Sequence, residues 1–338
     1  MTDNFIVRAP GRVNLIGDHT DYTDGLVMPM TIDRWTVIAG SHHDGPIELR
    51  SDNEPDAISL ALPVDDPSTV EPRWGRYVAG VAAELGAQAR PFRGRVTTTI
   101  PVGAGLSSSA ALELAAALAL GFTGDAVQLA QLGRRAEHRA SGVPCGIMDQ
   151  FCIAAGVAGH ALLIDCHTLA IEPVPLPDDM AVVVQFVAHR TLAGSEYAER
   201  VAQCGVAEQT IGPLRAASLD DVATIIDPVI QRRARHVVSE NQRVRDFSHA
   251  LRVGDVVSAG RLMIESHHSL RDDYATSTPA VDQAVAEMCA TPGVFGARMT
   301  GGGFGGCIVA IAEPGAVSAG WLVHAVDGAS ARKPESHS

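Results

Sequence analysis

No run of about twenty apolar residues occurs in the chain, so no segment is long enough to cross a bilayer as a helix. Basic charge is short as well. The formal net charge is -13, and a chain without a basic stripe does not suit a general nucleic-acid or membrane-surface role. The six cysteines, Cys145, Cys152, Cys166, Cys204, Cys289 and Cys307, include no C-x-x-C pair. Reduced thiols and no structural zinc are therefore expected. Residues 1–5 carry neither the basic start nor the long apolar stretch of a secretory signal, and the expected location is cytoplasmic. Aromatics make up 4% of the chain, with 3 Trp and 4 Tyr, so one that falls beside a motif is informative. No internal repeat is found. What is present is 338 residues with 46% apolar content, ample for a core and for two domains. Strand-rich and helix-rich stretches alternate irregularly, which favours α+β over a regular βαβ repeat.

Four short segments hold most of the chemistry. The first, residues 12–25, sets Arg12, Asp18, His19, Asp21 and Asp24 between strand-like flanks, Val13-Asn14-Leu15-Ile16 and Leu26-Val27-Met28. Donors and acceptors alternating along one loop suit a polyol, since each sugar hydroxyl both gives and takes a hydrogen bond. An Asx-turn network that merely shapes the loop is the alternative. The spacing disfavours a calcium loop, because Asp21, Asp24 and Gly25 do not fit D-x-[DN]-x-[DN]-G.

The second segment, Pro101-Val102-Gly103-Ala104-Gly105-Leu106-Ser107-Ser108-Ser109-Ala110, follows a Thr-rich strand and opens an Ala/Leu-rich helix. Glycines admit close backbone approach, and the helix N-terminus favours an anion such as a nucleotide phosphate. An ordinary serine-capped helix has the same pattern. No Gly-Lys-Ser/Thr follows, so this is not a Walker A loop. The third segment joins Ala136-Glu137-His138, on a helix, to Gly142-Val143-Pro144-Cys145-Gly146-Ile147-Met148-Asp149-Gln150. The turn forced by Gly142 and Pro144 lets Glu137 and Asp149 converge. A solvated helix charge and a helix cap are the plain readings of those two acids. In the fourth, Gly301, Gly303 and Gly306 match G-x-G-x-x-G, but the β-type run that follows rules out a Rossmann turn.

Taken together and in this order, the four segments resemble the motifs of galactokinases, a sugar-kinase branch of the GHMP superfamily, and the resemblance spans nearly the whole chain. It implies a two-domain fold: an N-terminal ribosomal-S5-like domain over residues 1–173 and a ferredoxin-like C-terminal domain over residues 174–338, with the site between them. It also implies ATP-dependent phosphorylation of D-galactose at the C1 hydroxyl, with Mg2+ as cofactor. The same fold acting on another sugar, such as arabinose or galactosamine, is the alternative; a sugar- and ATP-binding sensor without turnover is a more distant one.

Carried over residue by residue, Asp18, His19, Asp21, Gly146 and Tyr197 would contact the sugar. Tyr197 lies in a family-like segment beginning at Arg190. Gly103, Gly105, Leu106, Ser107, Ser108 and Ser109 would hold the phosphates, with Trp74 and Tyr77 near the adenine. Ser109, with Ser108 as the near alternative, and Glu137 would bind magnesium. Asp149 would accept the hydrogen bond, and then the proton, of the C1 hydroxyl, while Arg12 holds Asp149 and steadies charge on the transferred group. His267 and His268 lack i,i+4 spacing on one helical face and read as scaffold rather than metal ligands.

Two departures from the family pattern carry expectations of their own. Asp18 stands where galactokinases usually have glutamate, and is shorter by roughly 1.3 to 1.5 Å, one carbon–carbon bond; a direct sugar contact could thereby become water-mediated. After Ala312-Glu313-Pro314-Gly315 the family has a long helix, yet Trp321-Leu322-Val323 follows almost at once. Loss of that helix predicts exposed apolar surface. The oligomeric state is not legible in the sequence.

Overall fold

The structure, a computed structural model, describes residues 3–189 and 193–332. Two long strands, β1 (Asn4–Ile16) and β2 (Leu26–His42), form an antiparallel pair and leave the polar segment of residues 17–25 as the loop between them. Then come β3 (Ile47–Ser51), β4 (Ile58–Leu60), helix α1 (Gly75–Leu85) and β5 (Phe92–Thr98). Three helices, α2 (Ser108–Ala119), α3 (Ala126–Ser141) and α4 (Met148–Ala155), lead to the hairpin β6 (His160–Asp165) and β7 (Ala170–Pro175). The rest of the chain runs β8 (Ala181–Ala188), α5 (Ala193–Ile211), α6 (Leu219–Ala223), α7 (Pro228–Arg252), α8 (Val256–Asp272), α9 (Pro279–Cys289), β9 (Val294–Thr300), β10 (Gly306–Ala312), β11 (Trp321–Val323) and β12 (Ser330–Arg332).

The fold is α+β, built on two sheets. The first runs β12-β1-β2-β5-β3-β4, with the β6–β7 hairpin hung from β2; the second runs β11-β8-β10-β9. The sheets change over between Pro175 and Ala181. A split into contiguous halves at 173/174 nevertheless needs correction, because β12 returns to pair with β1 of the first sheet. Helix α7 likewise packs on β1, β2 and β7 as well as on α8. One apolar core threads through both parts, from Leu15 and Met28 on the first sheet to Val184 and Val309 on the second.

Helix starts follow their capping chemistry. Asp125 and Gln128 form a reciprocal capping box at α3, while Asp227-Pro228 and Thr278-Pro279 open α7 and α9 with a side-chain cap followed by proline. Helix α2 is buried along most of its length because alanine dominates it, which lets it lie against β1, α1, α3 and α4 at once. Gly260 of α8 meets Gly296 of β9 so closely that a Cβ on Gly296 would sit 2.1 Å from the Gly260 carbonyl oxygen, so only glycine fits. That approach, early in α8, seats the helix against the second sheet.

Of the apolar surface expected from the missing helix, Leu322 on β11 is 52% exposed, while the sheet itself is covered. Helix α9 packs on β8, β9 and β10, with Val281, Val285 and Met288 against Ala297, Ile308 and Ala310, and both Ile308 and Ala310 are fully buried. Among the described residues no helix is long and apolar enough to cross a membrane, and no disulfide is formed.

Candidate active site

A cleft of about 590 Å³, in the usual range for small-molecule sites, opens where the loop after β1, the N-terminus of α2, the N-terminus of α4 and the turn between β9 and β10 come together. Asp149, in the first turn of α4, sits at the junction of these elements. Arg12 grips it with two parallel bonds, Nε to Oδ1 at 2.7 Å and Nη2 to Oδ2 at 2.8 Å. Such a bidentate fork fixes both distance and plane. Ser107 Oγ donates to Asp149 Oδ2 at 2.5 Å, and Arg12 Nη1 donates to the Gly105 carbonyl at 2.6 Å. One carboxylate thus ties β1, the serine-rich turn and α4 together.

Ser107 adopts a left-handed backbone, φ 61°, at the entrance to α2, a strained conformation for a residue with a side chain. Gly103, Gly105, Ser107, Ser108 and Ser109 line the cleft. Leu106 does not, which corrects its expected place. Its side chain is buried in the core and its carbonyl accepts the Arg12 amide at 3.2 Å, so it shapes the loop from behind.

Ser109 Oγ donates to Glu137 Oε1 at 3.2 Å. The Gln150 amide bridges Glu137 Oε2, at 2.6 Å, and Glu113 Oε2, at 3.0 Å. Burial pushes the Glu137 carboxyl above the usual carboxylate range and the charge of Asp149 adds to this; Glu113 is pushed well above it by burial and then by Glu137. Glu113 and Gln150 escaped the sequence reading. The available signal was spacing, since a lone acid in an Ala/Leu-rich helix, four positions after Ser109, shares its face.

At the other end of the cleft, Asp21 is pushed up to about 7, by burial first and then by the charge of Asp149. Gly146 lies against this carboxylate: a Cβ there would fall 1.9 Å from Asp21 Oδ2. His19 has a left-handed backbone, φ 64°, and its Nδ1 shares a 2.9 Å hydrogen bond with the Tyr22 hydroxyl. Tyr197 packs at 5.5 Å between ring centroids against both His19, tilted, and Tyr22, edge-on. Burial, then the charge of Asp21, holds its phenol well above the ordinary value, so it is neutral. Arg190, Thr191 and Leu192, the start of the same family-like segment, lie outside the described residues.

Trp74 and Tyr77 face the cleft from the start of α1. Trp74 Nε1 donates to the Asp56 carbonyl at 3.1 Å, and burial followed by the Glu137 charge pushes Tyr77 up to about 12. Ser51, Asn53 and Glu54 also border this end and were not foreseen. Gly301 and Gly302 complete the wall.

Asp18 is placed differently from the expectation. It borders the cleft, but its Oδ1 accepts the Gly301 amide at 3.0 Å and its Oδ2 lies 2.5 Å from Arg298 Nη2. His267 is scaffold, with its Nε2 3.2 Å from Asp282 and its Nδ1 facing the Met299 amide.

Three family models match the chain. The galactokinase galactose-binding signature covers residues 1–42, the GHMP kinases N terminal domain residues 76–157, and the GHMP kinases C terminal domain residues 247–321. Human galactokinase is 46% identical over 332 residues, which is 92% of this chain and 84% of that protein. The galactokinase of Chloroflexus aggregans is 44% identical over 335 residues, 91% of this chain and 84% of that protein. A crystal structure of Lactococcus lactis galactokinase complexed with galactose superposes with a TM-score of 0.91 at 32% identity, covering 97% of this chain and 95% of the other. Mevalonate kinase from Methanococcus jannaschii, with a TM-score of 0.68 at 20% identity over 91% of this chain and 90% of the other, shares the fold.

Proposed function

The chain belongs to the galactokinase family, and on that premise we propose that its cleft transfers the terminal phosphoryl group of ATP to the C1 hydroxyl of D-galactose, giving α-D-galactose 1-phosphate and ADP. The observation that carries the reading is the grip of Arg12 and Ser107 on Asp149, between the sugar loop and the phosphate turn. The C1 oxygen forms a bond to the terminal phosphorus as the bond to the ADP oxygen breaks, and the hydroxyl proton passes to Asp149. Little covalent work falls to the protein, so alignment and charge decide the rate.

His19, Asp21, the Gly146 backbone and Tyr197 hold the sugar. The phosphates lie over Gly103, Gly105 and the amides at the start of α2, with the adenine towards Trp74 and Tyr77. Magnesium suits the donor set: Ser109 Oγ and the Glu137 carboxylate are hard oxygen ligands in a wall with surplus acid. Among the described residues no group of three or more His, Cys, Asp or Glu side chains is arranged to hold a metal alone, and magnesium ordinarily fills its shell with phosphate oxygens and water. When bound, the ion neutralises phosphate charge. The acidic net charge accords with a cytoplasmic enzyme.

ADP release measured over a panel of sugars, with the product located by phosphorus-coupled NMR, tests the reading. Galactose as the best substrate with phosphate on C1 supports it. Preference for arabinose or galactosamine moves the chain to another sugar of the same reaction class. Binding of galactose and ATP without ADP release makes it a sensor and overturns the proposal.

A further inference from the structure

Behind the sugar loop lies a buried polar junction that the transfer reaction does not use directly. Arg298, on β9, is fully buried, and Asp18 is 1% exposed. The guanidinium reaches Asp18 Oδ2 at 2.5 Å, the Asn14 carbonyl at 3.3 Å and, at 4.0 Å, Oε1 of a second fully buried acid, Glu240 of α7. Glu240 in turn accepts the Gly17 amide at 3.0 Å, Ser266 Oγ of α8 at 2.5 Å and Arg243 Nε at 2.7 Å. His236 Nε2 donates to the Asp18 carbonyl at 3.1 Å. Every polar group of the backbone around Asp18 that these contacts reach is thus held from the C-terminal half of the chain, and the Asp18 carboxylate itself is spent on Arg298 and the Gly301 amide.

A side chain so committed makes a poor sugar ligand. It makes a good fastener, because it joins the loop bearing His19 and Asp21, which grows from the first sheet, to the glycine turn at 301–302, which grows from the second. A misplacement of about 1 Å between such parts can cost on the order of 10²-fold in rate. Arginine suits the centre of the junction, since its planar fork can meet two acids and a carbonyl at once in a fully buried site. We infer that Asp18, anchored by Arg298 and Glu240, is a positioning residue that sets the sugar loop against the glycine turn at 301–302, and not a residue that binds the sugar. The inference rests on the galactokinase reading, which is tested separately by the wild-type enzyme's activity on galactose.

The experiment compares wild type, Asp18→Asn and Arg298→Lys for kcat and KM with ATP, galactose and its 2-, 3-, 4- and 6-deoxy derivatives. Both variants should lower kcat/KM for galactose by about 10-fold to 100-fold and raise the KM for ATP as well, because the glycine turn borders both substrates. The preference for galactose over each deoxy sugar should stay within about twofold of wild type, and the double variant should be no worse than the poorer single one. A hydroxyl-binding carboxylate behaves otherwise, since removing it abolishes discrimination against the sugar lacking its partner hydroxyl. The inference is overturned if Asp18→Asn loses about tenfold or more of its preference at one hydroxyl, or if it retains wild-type kinetics. Asp18→Asn is nearly isosteric and carries this readout alone should Arg298→Lys not fold.

Discussion

Glu113 and Glu240 are both fully buried glutamates on helices, close to opposite sides of one cleft, and their surroundings treat them in contrary ways. Around Glu240, burial alone would raise the carboxyl, but Arg243, His236 and Arg298 outweigh it and hold the group down to about 2. Around Glu113 the hydrogen-bond partner is an amide, Gln150, and burial together with the charge of another acid, Glu137, pushes the carboxyl well above its ordinary range. Glu240 is therefore a charge already answered within the fold, and such a group fastens. The acids along the cleft are only partly answered: among the described residues, Arg12 is the only base in ion-pair contact with any of Asp21, Glu113, Glu137 and Asp149. A surplus of that kind costs stability and is retained where a cation and a polyphosphate are to be received.

The largest effect that sharpens this contrast belongs to Asp149. Asp149→Ala should lower turnover by about 10²-fold to 10⁴-fold, the span of positioned acid–base groups, and should also lower thermal stability, since it leaves the buried Arg12 guanidinium without its bidentate partner. Steady-state ADP release and a thermal melt measure the two sides. Turnover close to wild type would remove Asp149 from the mechanism.

The two glutamates test the contrast directly. Glu240→Gln takes one partner from a buried ionic set and should cost about 3–5 kcal/mol, read from urea unfolding at pH 7. Glu113→Gln keeps the shape of a carboxyl that burial already favours as neutral, and should change stability by less than about 1 kcal/mol in either direction. The dependence on pH follows with opposite signs. The folded-state pKa of Glu240 is depressed, so its stabilisation is present above its ordinary value of 4.5 and is lost as pH falls towards about 2. That of Glu113 is raised, so whatever it costs is relieved as pH falls. Equal losses in the two variants would break the comparison.

The acid-rich side was largely legible in the sequence because its signals are local. A polar loop between strands, glycines before a serine-opened helix and a turn-forcing Gly142 and Pro144 each announce themselves within a few positions. The fastening side was not legible. Arg298 and Glu240 lie on a strand and a helix whose meeting depends on the glycine-to-glycine approach of α8 to β9, and no spacing rule joins them. Without Arg298 in view, Asp18 read as a free acceptor in a sugar loop. The return of β12 to the first sheet escaped for a related reason, since a three-residue strand has too little pattern to name its partner. Leu106 was misplaced because a motif gives the order of residues and not the direction in which each side chain points.

The smallest effect concerns Asp21, which lies between the two regimes. Its carboxyl is pushed up to about 7, by burial first and by the charge of Asp149 second. A sugar hydroxyl that donates to it needs the ionised form, so kcat/KM for galactose should climb about tenfold between pH 6 and pH 8 and level off above, as a single group of that pKa requires. Asp21→Asn should flatten the rise and leave a uniformly low value. The stability effect has the opposite sense. A carboxyl whose folded-state pKa is raised above its ordinary 3.8 costs stability in full above pH 7, and the cost fades as pH falls from 7 towards 3.8. Asp21→Asn should accordingly melt higher than wild type at pH 8 and converge with it towards pH 4. A wild-type profile flat from pH 6 to 8, or a variant that melts lower at pH 8, would mean that the fold already answers the Asp21 charge as it does that of Glu240, and the division of the cleft into a fastened side and an acid-rich receiving side would have to be redrawn at this residue.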